Sequence, residues 1–409
     1  MENTEQDWKV CDGCVYYDRN TIDTRGADVV IEECIQKILS GEIPFPYYRT
    51  FCLSIDELVK EAAKYKTITN TEPFRLRSYH PPNNLFLPAG YKGKPLAIIS
   101  GKYDYTYLDI LTDSFPGAEE HRLKNYHVGY PAPETEWANP ETLRKIVTSI
   151  VKGSKFMNPK EVNSRTLRNT FSTEVLEAKP FRLCWLLGLI RTLEIKSGAR
   201  WLDISSGNGD RAIAAALLGL NYYGCDPDLT LKPIHDAIIK RLGDPKKQEI
   251  DYRPFEEKRP PGKFDFVLSS PPFFDKEIYQ GAEQSLLKYN NFTAWMVKFL
   301  FRSLTIAWEA LNDGGVMAID MVDCLDSEKH PLSIIEPMNL FIEECLPRAS
   351  FGGSLGIGGW KGEEGKGGNY RGVWIWQKQP HGEKVFKWKP HVKRSLKVMY
   401  PELYRAMNE

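Results

Sequence analysis

From about residue 174 onward, short runs of consecutive apolar residues alternate with longer stretches in which apolar side chains recur every three or four positions. The first pattern is that of strands buried on both faces, the second that of amphipathic helices. The spacing predicts a helix over 174–193, a strand over 200–204 and a helix over 210–218. A strand at 222–225, a helix at 233–242 and strands at 249–253 and 264–268 follow. A long helix over 293–311 leads through Gly314 and Gly315 into a fifth strand at 316–320, then a helix at 336–345. Two late β segments, 354–357 and 372–377, close the series as a hairpin. Strands and helices in regular alternation predict an α/β fold with a doubly wound, mostly parallel sheet.

Residues 1–165 read as an additional mixed α/β region. Ser54 and Glu57 form a capping-box pattern that opens a helix to about residue 66. Asn139 followed by Pro140 caps a second helix. In it Leu143, Ile146, Val147, Ile150 and Val151 share one face. Residues 96–99 predict a strand, and the Pro-rich stretch 80–95 predicts turns.

A length of 409 residues fits two domains, or one large domain with an elaboration. The expected division is 1–165 as an accessory, substrate-selecting region, 166–380 as the catalytic domain and 381–409 as a basic tail. Lys+Arg and Asp+Glu balance at 54 each, so any nucleic-acid contact must come from local patches rather than net charge. The patches exist. Residues 380–409 hold 7 basic and 3 acidic residues, and Lys384–Lys397 interleaves cations with aromatics, as a phosphate-and-base contact would. The run from Arg75 to His80 and the Gly-rich stretch 360–371, with its cations, are further candidates. No apolar run reaches membrane-spanning length. The scattered cysteines fit an intracellular protein, cytoplasmic or nuclear. Cys11 and Cys14 form a lone CxxC. Cys34 and Cys52 do not extend it in any zinc-site spacing, and no metal is expected.

Two runs carry chemistry. The first is Asp203-Ile204-Ser205-Ser206-Gly207-Asn208-Gly209-Asp210, at the end of the strand predicted over 200–204. Gly207 and Gly209 let a ligand approach the backbone where a side chain would block it. Asp226 stands 23 residues after Asp203, at the end of the next strand, where an acid can accept from a ribose diol. Dinucleotide-binding folds use the same geometry. The second run is Ser269-Ser270-Pro271-Pro272-Phe273-Phe274, after the strand predicted over 264–268. Its consecutive prolines fix φ and lack N–H donors, so they form a stiff loop rich in acceptors.

Together these runs resemble the cofactor loop and reaction loop of class I, Rossmann-like S-adenosylmethionine (SAM)-dependent methyltransferases of the amino-methylating group. That group carries D-x-G-x-G-x-G and [D/N/S]-P-P-[Y/F/W]. The resemblance covers roughly residues 170–380, and Ser205 departs from it by replacing the first glycine. It implies SAM as cofactor. Asp203 would hold the cationic amino group, directly or through water, beside Ser205, Gly207 and Gly209. Asp226 would hold the ribose, Phe255 the adenine ring, and Phe171 the methionine end. It also implies that the Ser270 hydroxyl and the Pro271 carbonyl accept from a target amine, with Pro272 stiffening the loop and Phe273 stacking on the base. Tyr279 and Gln284 would line the target pocket. Pro-Pro-Phe-Phe-Asp looks nearest to the mRNA-cap adenosine N6-methyltransferases, which implies adenine N6 in RNA or DNA. Two alternatives stand beside it. One is a protein glutamine or small metabolite as methyl acceptor. The other is a catalytically silent, nucleic-acid-binding member of the fold. Oligomeric state is not legible.

Overall fold

The computed structural model describes residues 14–76, 87–101, 108–154, 158–325, 329–359, 370–388 and 395–409. Cys11, the 77–80 part of the Arg75–His80 run, residues 360–369 of the Gly-rich stretch and the cations Lys389, Lys393 and Arg394 lie outside them. Among the described residues no helix is long and apolar enough to cross a membrane, and no cluster of His, Cys, Asp and Glu is gathered to hold a metal.

The chain forms two compact units, one of residues 1–61 and 106–179, the other of 62–105 and 180–409. The division differs from the cut expected at residue 165. Residues 62–105 were expected in the accessory region, yet their strands extend the sheet of the second unit. The other boundary falls at Pro180. There the helix predicted over 174–193 is cut short: residues 175–182 are not helical and only Leu183–Thr192 forms within the predicted span, after a separate helix, Ser164–Glu174, has ended. Proline removes an N–H and pushes the preceding residue out of the helical region, which outweighs the apolar periodicity.

The second unit is built on one twisted sheet. Its strands are β1 (Ile68–Asn70), β2 (Ala97–Ser100), β3 (Arg200–Asp203), β4 (Asn221–Cys225) and β5 (Gln248–Asp251). They continue with β6 (Phe264–Ser269), β7 (Leu311–Asp320), β8 (Ala349–Gly359) and β9 (Arg371–Lys378), and a short tenth strand, Gly90–Tyr91, pairs with β8 outside the order below. The spatial order is β5-β4-β3-β6-β7-β9-β8-β2-β1. Strands β5, β4, β3, β6 and β7 run parallel to one another, and β9 is antiparallel to both β7 and β8. The late hairpin forms as expected from the sequence but does not close the sheet, because β2 and β1 extend it beyond β8. Helices α1 (Leu183–Thr192), α2 (Asp210–Leu218), α3 (Lys232–Leu242), α4 (Arg302–Ala310) and α5 (Ile335–Cys345) connect or cover the strands. The helix predicted over 293–311 is not uniform. Its Trp295–Phe301 portion is π-helical before α4 begins.

The central strands are buried on both faces. Trp201, Leu202, Phe266, Val267, Met317 and Ile319 are all fully enclosed, which explains why these segments read as unbroken apolar runs. The chain winds β3-β4-β5 to one side and then returns to the other side of β3 as β6. The order reverses between β3 and β6, and the crevice at the C-terminal ends of these two strands is where such sheets bind ligands.

The first unit is mainly helical. Ala27–Leu39, Pro140–Lys152 and Ser164–Glu174 pack through Val30, Ile31, Cys34, Leu143, Val147, Leu167 and Phe171. Beside this core lies a sealed ionic cluster. Arg168 bonds Glu119 at 2.7 Å and Glu177 at 2.7 and 2.9 Å, while Arg122 bonds Asp113 at 2.6 and 3.0 Å and Glu177 at 2.7 Å. Three carboxylates share two guanidiniums. Burial, with the nearby Asp113 charge added and Arg168 opposing, pushes Glu119 up to about 7. Between its unfolded value near 4.5 and about 7, the native state holds a proton that the unfolded chain has lost. This contribution is therefore present below pH 4.5 and lost as pH rises through 7, a swing on the order of 3 kcal/mol. Glu119→Gln keeps the site neutral at every pH. Urea midpoints across pH 5–8 are expected to show a flatter profile for the variant, whatever constant offset the lost acceptor introduces. Parallel profiles would contradict the assignment.

Candidate active site

Each functional side chain is placed by the end of a central strand. Asp203 ends β3 and is completely buried. Its Oδ1 accepts from the Ser269 hydroxyl at 2.7 Å and the Ser205 N–H at 3.2 Å. Its Oδ2 accepts from Arg211 Nε and from the Tyr222 hydroxyl, both at 2.6 Å. Four donors saturate the carboxylate, so it has no free lone pair to offer a bound ammonium.

The loop after Asp203 carries the glycines. Gly209 has φ +98°, and a Cβ there would lie 2.6 Å from Ile238 Cδ1 and 3.2 Å from the His235 ring. Both conformation and space therefore demand glycine. Gly207 has φ +54°, and an added Cβ would meet only Arg211 Nη2, at 3.5 Å. Its open side is a cradle a ligand can approach. The buried His235 donates from Nε2 to the Gly207 carbonyl at 2.8 Å and accepts at Nδ1 from the Tyr252 hydroxyl at 3.0 Å, which pins the loop. Ser205 is absent from the residues with positive φ. The freedom of the glycine it replaces is not needed. Instead its hydroxyl donates to the Ser270 carbonyl at 3.2 Å, tying the cofactor loop to the reaction loop.

Asp226 immediately follows β4 and is 8% exposed. Its oxygens accept from the Gly207 N–H at 2.8 Å and the Asp228 N–H at 3.0 Å, one bond each, leaving acceptor capacity for a diol. Burial pushes this carboxyl up to about 6, against the two backbone N–H groups that lower it. Phe255, after β5, is 3% exposed and belongs to the same apolar core as Leu202 and Phe273. Phe171 lies in the first unit, fully buried, with its ring edge-on to Phe45 and Trp137. That ring is committed to the helical core.

In the reaction loop, Ser270 follows β6 and its hydroxyl donates to Asp320 Oδ2 at 2.8 Å. Asp320 ends the neighbouring strand β7 and is wholly buried. Arg371, at the start of β9, pairs with the same oxygen. Among the described residues the other Asp320 oxygen and Arg371 Nε are buried without a partner. The Arg371 guanidinium faces three rings, Trp185 at 5.6 Å, Phe181 at 5.7 Å and Phe273 at 5.8 Å. Pro271 is buried and Pro272 half-buried. Phe273 is 6% exposed, with Lys276 Nζ 5.2 Å from its centroid. Phe274 takes φ +53°, rare for a bulky residue, and is held there by Phe292 and Trp295 at 5.4 and 5.6 Å. Such a conformation persists only when packing enforces it.

The chain beyond folds back toward the cofactor side. Gln284 clasps the Tyr279 backbone at both its N–H and its carbonyl, at 3.3 and 2.8 Å. A Cβ on Gly281 would lie 3.6 Å from the Asp228 carboxyl. Gln284 is thus the fastener of this loop.

Sequence reasoning singled out Ser270 and Asp226 but missed Asp320, Arg211, Tyr222 and His235 as parts of the site. Asp320 had a signal: an acid at the end of the strand next to the one bearing Ser270. Tyr222 and His235 gave none, because their partners are far away in sequence.

No family model and no curated protein sequence matches the chain. Among solved structures it is similar to TrmN from Thermus thermophilus, at 16% identity over 48% of this chain and 49% of that one, with a TM-score of 0.33. It is also similar to a SAM-dependent O-methyltransferase from Thermotoga maritima, at 13% identity over 48% and 65% of the two chains, TM-score 0.30. A third is a SAM-dependent methyltransferase from Geobacter sulfurreducens in complex with S-adenosyl-L-homocysteine, at 16% identity over 33% and 47%, TM-score 0.26. The chain thus spans about half to two thirds of the length of these structures.

Proposed function

We propose that this protein is a SAM-dependent N-methyltransferase that acts on an exocyclic amine of a nucleobase, adenine N6, in RNA or DNA. The observation that carries the reading is the Ser270–Asp320 hydrogen bond at the mouth of the crevice, with the reaction loop tied to the glycine loop by Ser205. Gly207, Gly209 and Asp226 would hold the cofactor, which supplies an electrophilic methyl group when bound. The open cradle at Gly207 and the spare acceptor capacity of Asp226 fit it.

An exocyclic base amine is a poor nucleophile because its lone pair is delocalised into the ring. Acceptors aimed at its N–H groups favour a more tetrahedral nitrogen. Because the Ser270 hydroxyl gives its own proton to Asp320, the lone pairs of its oxygen are left to accept from the amine. The Pro271 carbonyl is the second acceptor. Once methylated, the nitrogen is acidic. Its proton can pass to Ser270 Oγ as the Ser270 proton moves to Asp320, whose charge is stabilised by Arg371. Phe273 and the adjoining Arg371 present a flat, cationic-aromatic wall to the base.

The test is transfer from labelled SAM to capped RNA, uncapped RNA, single-stranded DNA and double-stranded DNA, followed by nucleoside mass spectrometry. Label on N6-methyladenosine is expected, with Ser270→Ala slowing turnover about 10- to 100-fold at unchanged SAM affinity. Label on no polymer, with SAM bound normally, would redirect the reading to a protein or metabolite amine, or to a silent nucleic-acid-binding subunit.

A further inference from the structure

The strand-one carboxylate was expected to hold the amino group of the cofactor, but the protein uses it otherwise. All four of its donors are internal, and one is a charged guanidinium. Arg211, in the first turn of α2, donates from Nε to Asp203 Oδ2 at 2.6 Å and from Nη2 to the Ser205 carbonyl. Its third nitrogen, Nη1, takes no partner among the described residues and is not among the buried unpaired atoms, in contrast to Arg371 Nε. The side chain is 5% exposed, so this open nitrogen sits in a confined, poorly hydrated place where a charge-assisted hydrogen bond is strong.

The location is equally specific. The guanidinium lies under the open cradle, with Nη2 only 3.5 Å from where a Gly207 Cβ would stand. A ligand resting on Gly207 is therefore within reach of Arg211. Asp203 is itself fixed by Tyr222 and Ser269, so the guanidinium is held in orientation before any ligand arrives.

We propose that Arg211 binds the carboxylate at the methionine end of SAM, and that Asp203 is a positioning residue for Arg211 rather than a contact of the cofactor amine. This rests on the SAM reading above. The chemistry recognised is an α-amino acid carboxylate, and the arginine fork offers it a directed donor.

Calorimetric binding of SAM and of decarboxylated SAM, which keeps the sulfonium, ribose and amine, isolates the carboxylate. The parent protein is expected to prefer SAM by about 10- to 100-fold. In Arg211→Met the ratio is expected to collapse to within about threefold, with decarboxylated SAM bound much as before. Asp203→Asn with its oxygen at the Oδ1 position keeps the acceptor for Ser269 and the Ser205 N–H but turns an amide NH2 toward Arg211 and Tyr222; it releases the guanidinium and should shrink the ratio partway. An Arg211→Met protein that keeps the parent ratio, or weakens both compounds equally, would overturn the assignment. If circular dichroism shows that variant unfolded, the double variant Asp203→Asn/Arg211→Met removes both buried charges together, and the same ratio decides. A parent protein that binds both compounds equally would overturn the role of Arg211 alone. One that binds neither would overturn the SAM reading itself.

Discussion

Asp320→Asn is expected to lower turnover by about 10²- to 10³-fold while leaving SAM affinity within about twofold. Two consequences of the geometry set this size. The Ser270 hydroxyl is oriented by the Asp320 carboxylate, so an amide there relaxes the direction of its lone pairs and removes the final proton acceptor. Arg371, whose side chain is 35% exposed, then faces a neutral partner, and among the described residues its buried Nε has none. Positive charge builds on the amine nitrogen as the methyl arrives, and a lone guanidinium nearby opposes that build-up. Single-turnover rates with pre-bound SAM separate this from binding. A variant that turns over at the parental rate would remove Asp320 from the reaction and leave Ser270 to act alone.

The two unpaired atoms in that ion pair bear on the same point. A fold selected for stability alone would close both arms of an Arg–Asp fork. Here one arm is closed and, among the described residues, the other carboxylate oxygen is buried without a donor, beside the residue proposed to meet the substrate. Unsatisfied buried polar groups are costly and gather where function requires them.

How far this was legible in the sequence depends on the range of the interaction involved. Strand and helix positions in the second unit followed from local periodicity. The two loops followed from residues close together in the chain, Gly207 with Gly209 and Pro271 with Pro272. Pro180 was a local signal too, but the apolar stripe masked it and the helix over 174–193 was drawn through it. What escaped were pairs joined only by the fold. Ser270 and Asp320 are 50 residues apart, and Arg371 lies 51 beyond Asp320. Neighbouring strands, parallel for Ser270 and Asp320 and antiparallel for Asp320 and Arg371, bring such residues side by side, and the only local trace is the strand-end position of Asp320. Asp203 shows a further gap. Its position was read correctly, but its occupancy was not, because nothing local reveals that Arg211, Tyr222 and Ser269 converge on it.

Asp226 carries the prediction most sensitive to pH. Burial raises its carboxyl to about 6, so the ionised acceptor is present above that pH and is lost as pH falls through it. If Asp226 holds the ribose diol, SAM affinity should fall by up to about tenfold per pH unit below 6. Asp226→Asn should raise the Kd for SAM by about 30- to 100-fold at pH 8, the loss of two charge-assisted bonds partly offset by the remaining amide oxygen. The variant should also flatten the pH profile, since nothing is left at that position to titrate. The unliganded stability of the parent should move the other way with pH. A carboxyl raised in the folded state contributes stability below its unfolded value near 3.8, and that contribution is gone above about 6, so the charge is a burden at neutral pH. Removing it should flatten the stability of the empty protein across pH 5–8, whatever constant offset the acceptor lost to one backbone N–H introduces, while weakening the cofactor. Titration calorimetry between pH 5 and 8, with melting curves on the same samples, tests both halves. Unchanged affinity at pH 8 would remove Asp226 from the ribose. A pH-dependent loss that persists in the asparagine variant would place the titrating group elsewhere in the crevice.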